Sequence, residues 1–177
     1  MEKERTPTSR GRAGFSLAEL MVVILLLSFV FLLTFPGFRH WMEPREAKRA
    51  VLQLVGSMRY AQSQAAAAKQ RLRLYLDLKE NAHWISREGE KGAFLRDPSP
   101  MGNPSYLPPG VVFLDVTHPE RGKIREGTAY VEFSPTGWAD ECEIHLRRGE
   151  EEIFSIFVHP LGGKTEVMAG YVERKPS

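Results

Sequence analysis

Phe15-Ser-Leu-Ala-Glu19-Leu-Met-Val-Val-Ile24-Leu-Leu-Leu-Ser-Phe29-Val-Phe-Leu-Leu-Thr34-Phe35 is the stretch on which the reading of this chain turns. It carries one charge, Glu19. At about 1.5 Å per residue a helix over it spans roughly 30 Å, the thickness of a bilayer core. A soluble helix so apolar on every side would be unusual in a chain this small, so the run predicts membrane insertion. Pro36-Gly37 interrupts it, and a proline there kinks or ends the helix.

Working outward, residues 1–14 are polar and hold Lys3, Arg5, Arg10 and Arg12 against Glu2 and Glu4. Nothing in them can bury a core, which predicts a disordered or removable leader. The chain's net charge of +2 resides in this leader, because the rest balances its acids and bases. The basic balance is therefore poor support for nucleic-acid binding. With 177 residues there is room for one domain plus an anchor. A single cysteine, Cys142, excludes an intrachain disulfide.

Beyond the apolar run, Pro44 suits the first turn of a new helical segment. Ala47, Val51, Leu54, Met58, Ala61, Ala65, Ala68 and Leu72 recur at alternating spacings of four and three, one face of an amphipathic helix. Lys48, Arg49, Gln53, Arg59, Gln62 and Lys69 lie opposite. The alanines at 65–68 suggest close approach to a sheet. After residue 70 the period becomes two: Leu72, Leu74, Leu76 and Leu78 alternate with Arg73, Tyr75 and Asp77. Strands are expected at 81–85, 111–116, 129–133, 142–146, 153–158 and 165–172. The Pro- and Gly-rich stretch 89–110 reads as a loop with one short strand. This order, helix then antiparallel strands, predicts an α+β fold.

The junction Arg10-Gly-Arg-Ala-Gly14-Phe15-Ser-Leu-Ala-Glu19 resembles the class III signal of type IV pilins and type II secretion pseudopilins. The resemblance implies a pilin-like fold, a long kinked N-terminal helix packed on an antiparallel β-sheet head. It implies processing by a prepilin peptidase, with cleavage after Gly14 and N-methylation of Phe15. Proline at the distance of Pro36 is a common helix kink in that family. The expected segments are a leader over 1–14, a transmembrane and filament-core helix over 15–36, its amphipathic second half over 37–71, and a periplasmic head over 72–177.

A carboxylate within a bilayer costs about 2.5–3.5 kcal/mol on insertion scales. Cleavage would create an ammonium at Phe15, and pairing of Glu19 with that amine on an adjacent subunit would set the axial register of a filament. The other reading of Glu19 is a carboxylate that snorkels to the interface, since it lies only about one turn into the run. Arg39, Arg45, Lys48 and Arg49 match the bases of the leader, so charge does not orient the span. A single-pass inner-membrane topology with a periplasmic head is what the resemblance implies.

Phe133-Ser-Pro-Thr-Gly137 and Ile156-Phe-Val-His-Pro-Leu-Gly-Gly163 are similar to the heads of the GspH/FimT group. That resemblance implies a minor pseudopilin of a type II secretion system, near the tip of a periplasmic pseudopilus that helps export folded proteins. The implied partners are other pseudopilins, the prepilin peptidase and the inner-membrane secretion platform. The alternative is a FimT-like minor type IV pilin involved in pilus assembly or DNA uptake. Its basic motif would fall at Gly163-Lys164-Thr165-Glu166, where one base meets one acid, so no nucleic acid is expected. A signal-anchored periplasmic domain with no filament role is a further alternative.

No catalytic residue, cofactor or metal is expected. In a strand, Asp140 and Cys142 would point one way and His145 the other, which splits a would-be metal site. Gly162-Gly-Lys-Thr165 lacks the first glycine of a phosphate loop, because Val158 stands there, and reads as a turn. The remaining histidines give no nucleophile–base pair.

Overall fold

The computed structural model describes residues 17–42, 44–150 and 152–174, the side chains of 32–42 and 44–45 excepted. The predicted leader, Gly14 and Phe15 lie outside the described residues. Two compact units emerge, one up to Met42 and one from Glu43 onward.

The first unit is helix α1, Leu17–Met42. It runs through Pro36 and Gly37, so the proline does not end it. From Leu17 to Phe31 every residue is exposed.

The second unit is the head. Helix α2, Pro44–Ala68, opens on a proline, whose missing N–H costs nothing in a first turn. Glu46 in that turn complements the helix dipole. At its other end Lys69 is left-handed (φ 52°) and the Gln70 N–H returns to the Ala65 carbonyl, which closes the last turn. Ala47, Ala50, Val51, Leu54, Val55, Met58, Ala61 and Ala65 are buried along one face. Of the alanine run only Ala65 is buried; 66–68 are exposed, because the helix turns them off the sheet before it ends.

The head has two antiparallel sheets rather than one. In the first, β1 (Leu72–Asp77) lies between β2 (Ala82–Glu88) and β7 (Thr128–Phe133). Short pieces β3 (Phe94–Arg96) and β4 (Ser105–Tyr106) both pair with β2. In the second, the order is β10 (Thr165–Ala169), β9 (Glu152–Val158), β8 (Cys142–Arg148), β5 (Val111–His118), β6 (Gly122–Ile124). Leu72, Leu74 and Leu76 are buried with α2, and so are Val131, Phe133, Ile144, Leu146 and Ile156, in one continuous core. Complete burial of a leucine side chain contributes about 1.5–3 kcal/mol, so this shared core welds both sheets to α2.

Two irregularities fix what each face displays. Between Phe113 and Asp115 the β5–β8 register shifts, a bulge that opposes Phe113 to Leu146 and Asp115 to His145. Plain alternation would have sent Val111, Phe113 and Asp115 to one face; the bulge turns Asp115 to the other. The predicted strand over 165–172 stops at Ala169, because Gly170 (φ 93°) turns the chain back across the sheet.

Candidate assembly site

Glu19 is in the first turn of α1, where the positive end of the helix dipole favours a carboxylate. Around it Leu17, Leu20, Met21, Val22, Val23 and Ile24 are exposed, as are the large apolar residues on to Phe31. No patch this apolar and continuous is ordinary on a free surface; it marks a face that contacts lipid or protein. Among the described residues no helix is long and apolar enough to cross a membrane. The apolar run of the sequence, 15–35, begins before and ends after the side chains described for α1. Pro36 lies within α1, its side chain outside those described.

The outward side of α2 carries Lys48, Arg49, Leu52, Gln53 and Arg59, all exposed. Gln62 faces inward, within 3.5 Å of the Gly137 carbonyl. It also fills the space a side chain at Gly163 would need, 2.6 Å from the position of a Cβ there. Gly162 (φ 68°) and Gly163 (φ 52°) form the turn between β9 and β10. Lys164 is exposed, and Glu166 is engaged by Arg174 at 2.5 Å and His159 at 3.4 Å. The Arg174 guanidinium holds the Glu166 carboxyl below its usual range.

The outer face of the first sheet holds a ladder that the sequence reading missed. The Arg73 guanidinium lies 3.8 Å from the centre of the Phe94 ring and 4.2 Å from that of Tyr130. Arg121 covers Tyr130 at 3.8 Å. Glu132 binds Arg73 at 2.8 Å, and Asp140 binds Arg121 at 3.1 Å. Each cation is thus both stacked and paired, which holds the face rigid. The signal for it was the alternation Arg73-Leu-Tyr75 opposite Tyr130-Val-Glu132, visible only once the strand register was known.

Cys142 is a core residue, and burial pushes its thiol pKa up, so it stays protonated. His145 points to the opposite face and bonds Asp115 at 2.7 Å. Asp140 lies outside the strand. Among the described residues no group of three metal-ligating side chains converges.

A Ser–His contact does occur: Ser57 Oγ and His83 Nε2 are 3.1 Å apart. Ser57 donates its proton to the Gln53 carbonyl, so it accepts from His83. That polarity is the reverse of nucleophile activation. Burial depresses His83 to a pKa of about 4, and the ring is neutral. His83 is on β2 and sits inside the head, its ring against α2.

Comparison with known proteins gives three findings. Residues 9–35 match the prokaryotic N-terminal methylation motif. No curated protein matches the chain. Among solved structures, two of the minor pseudopilin EpsH from the type 2 secretion system of Vibrio cholerae are similar. One aligns with a TM-score of 0.55 at 13% identity, over 70% of this chain and 97% of the other. The other aligns with a TM-score of 0.58 at 11% identity, over 73% and 98%. The fold is that of a pseudopilin: an N-terminal helix and antiparallel sheets.

Proposed function

We propose that this chain is a minor pseudopilin of a type II secretion system, a structural subunit near the tip of a periplasmic pseudopilus. The observation that carries the reading is the union, on one chain, of an N-terminal methylation motif and a head with the EpsH fold. Either alone is ambiguous. The motif is shared by filaments of several kinds, and a fold hosts more than one function.

In this reading the prepilin peptidase cuts after Gly14, and Phe15 becomes the N-methylated first residue. The apolar run anchors the subunit in the inner membrane, head outward, until the secretion platform passes it into the filament. There the same surface packs against other pseudopilins. Glu19, near the end of that helix, accepts the Phe15 ammonium of a neighbour, which sets the axial step between subunits. Pro36 supplies a flexure within the helix. The work is done by assembly, with no chemistry at a reactive side chain.

The test is processing followed by assembly. Native membranes from strains with and without the peptidase are compared by intact mass, and Glu19→Ala is scored for cross-linking to the other pseudopilins. A leader retained in both strains would remove the whole reading; processing with normal cross-linking of Glu19→Ala would remove the register role alone.

A further inference from the structure

The outer face of the second sheet is buried, although the core lies on its other side. Asp115, His145, Ser155 and Phe157 are each 5% exposed or less, and Asp115, His145 and Ser155 face one another across β5, β8 and β9. What covers them is the C-terminal strap, residues 170–174. Its backbone is read by side chains of the sheet. Ser155 Oγ donates to the Gly170 carbonyl at 2.7 Å and accepts from the Val172 N–H at 2.9 Å. His145 Nε2 lies 3.0 Å from the Val172 carbonyl. Tyr171 stacks on the His145 ring, centroids 4.2 Å apart. Its hydroxyl meets Asp115 Oδ2 at 3.1 Å.

The histidine's two nitrogens decide its protonation. Nδ1 faces Asp115 Oδ1 at 2.7 Å, and Nε2 faces a carbonyl oxygen. An ionised carboxylate and a carbonyl accept only, so with Asp115 ionised, as its acceptance from the Tyr171 hydroxyl favours, both nitrogens donate, which a neutral imidazole cannot do. The bulge at 113–115 places the carboxylate there, where the strand's own alternation would not.

We propose that His145 is a proton-operated latch for the C-terminal strap. With the imidazolium in place, Asp115 is paired and the Val172 carbonyl is held. Loss of one proton to solvent removes it from Nε2, because the Nδ1–H bond is the charge-assisted one. A bare Nε2 lone pair then faces the carbonyl, the strap loses its central anchor, and the Asp115–His145–Ser155 row and Phe157 are uncovered. Among the described residues, the other charged groups on this side are Glu143 and Arg147, which flank the ring on its own face of β8, and Lys123, from β6, and Glu173, from the strap, which pair with each other beside Tyr171. Tyr171 itself is raised in pKa, first by burial, and stays a neutral donor. At the strap's end Arg174 covers Phe157 at 4.4 Å and its N–H binds Glu143.

The test uses the full chain in detergent micelles with nitrogen-15 labelled histidine. Long-range proton–nitrogen spectra report which ring nitrogens of His145 are protonated, while amide exchange at Val172, corrected for base catalysis, reports strap opening. We expect two protonated nitrogens while the strap is closed, and at least a tenfold rise in opening in step with the loss of one. Ser155→Ala should open the strap more at every pH yet keep the step, whereas His145→Gln should abolish the step. A closed strap over a singly protonated ring, or opening indifferent to the ring's titration, overturns the proposal, and both are read on the unmodified protein if His145→Gln does not fold.

Discussion

The two helices of this chain are nearly equal in length and opposite in character. From Leu17 to Phe31, α1 is apolar on every side and exposed on every side. Helix α2 alternates its apolar residues at helical spacing and hides them beneath two sheets. One helix has its core supplied by its own unit; the other presents an apolar surface of the kind that contacts lipid or protein. The difference separates residues whose loss should unfold the head from residues whose loss should leave it folded but unassembled.

The largest expected effect is on the α2 side. Leu54 is fully buried, and Leu54→Ala should lower head stability by about 2–5 kcal/mol, read as a fall in the urea midpoint by tryptophan fluorescence. Next is His83, also beneath α2. Its folded pKa of about 4 lies below the ordinary 6.5, so between those values the unfolded chain binds a proton that the folded head refuses. Stability is therefore whole above about pH 6.5 and falls as pH drops towards 4, by up to about 3 kcal/mol. A midpoint that does not fall over that window would place His83 in a wetter setting than its burial implies. A smaller effect follows at the turn clasped by α2: Gly163→Ala must displace Gln62 and hold a positive φ, a loss of about 1–2 kcal/mol in the same assay. Smallest on stability are Glu19→Ala and Leu25→Ala in α1, each expected within about 0.5 kcal/mol of the parent head. Those two should instead abolish cross-linking to partner subunits, and a head destabilised by either would break the contrast.

Legibility in the sequence follows the same division. The apolar stripe of α2 and the alternation of β1 were readable because each is a local period that tertiary packing only has to accept. Ala50 and Val55 were missed because the buried face is wider than a strict four–three repeat. The two short strands within 89–110 have no pattern of their own; β2 recruits them as edge pieces, where a local reading sees one strand in a loop. Asp115 was unreadable for another reason. Its direction is set by the bulge, which exists only in the pairing of β5 with β8, and so its contact with His145 is a property of register. The strap looks like more strand in the sequence because Val172 continues the apolar run, and nothing local announces that Gly170 turns it across the sheet. At the N-terminal junction the situation is reversed: the methylation motif over residues 9–35 is linear, so Gly14, Phe15 and Glu19 stand out in the sequence without any fold.

The most direct test of the filament reading is the intact mass of the protein taken from native membranes, with peptide sequencing of its first residues. The account predicts loss of residues 1–14 and a single methyl group on Phe15, both dependent on the prepilin peptidase. A mass that retains Met1 to Gly14 in the presence of an active peptidase would contradict it, and the chain would then be a membrane-anchored domain that never enters a filament.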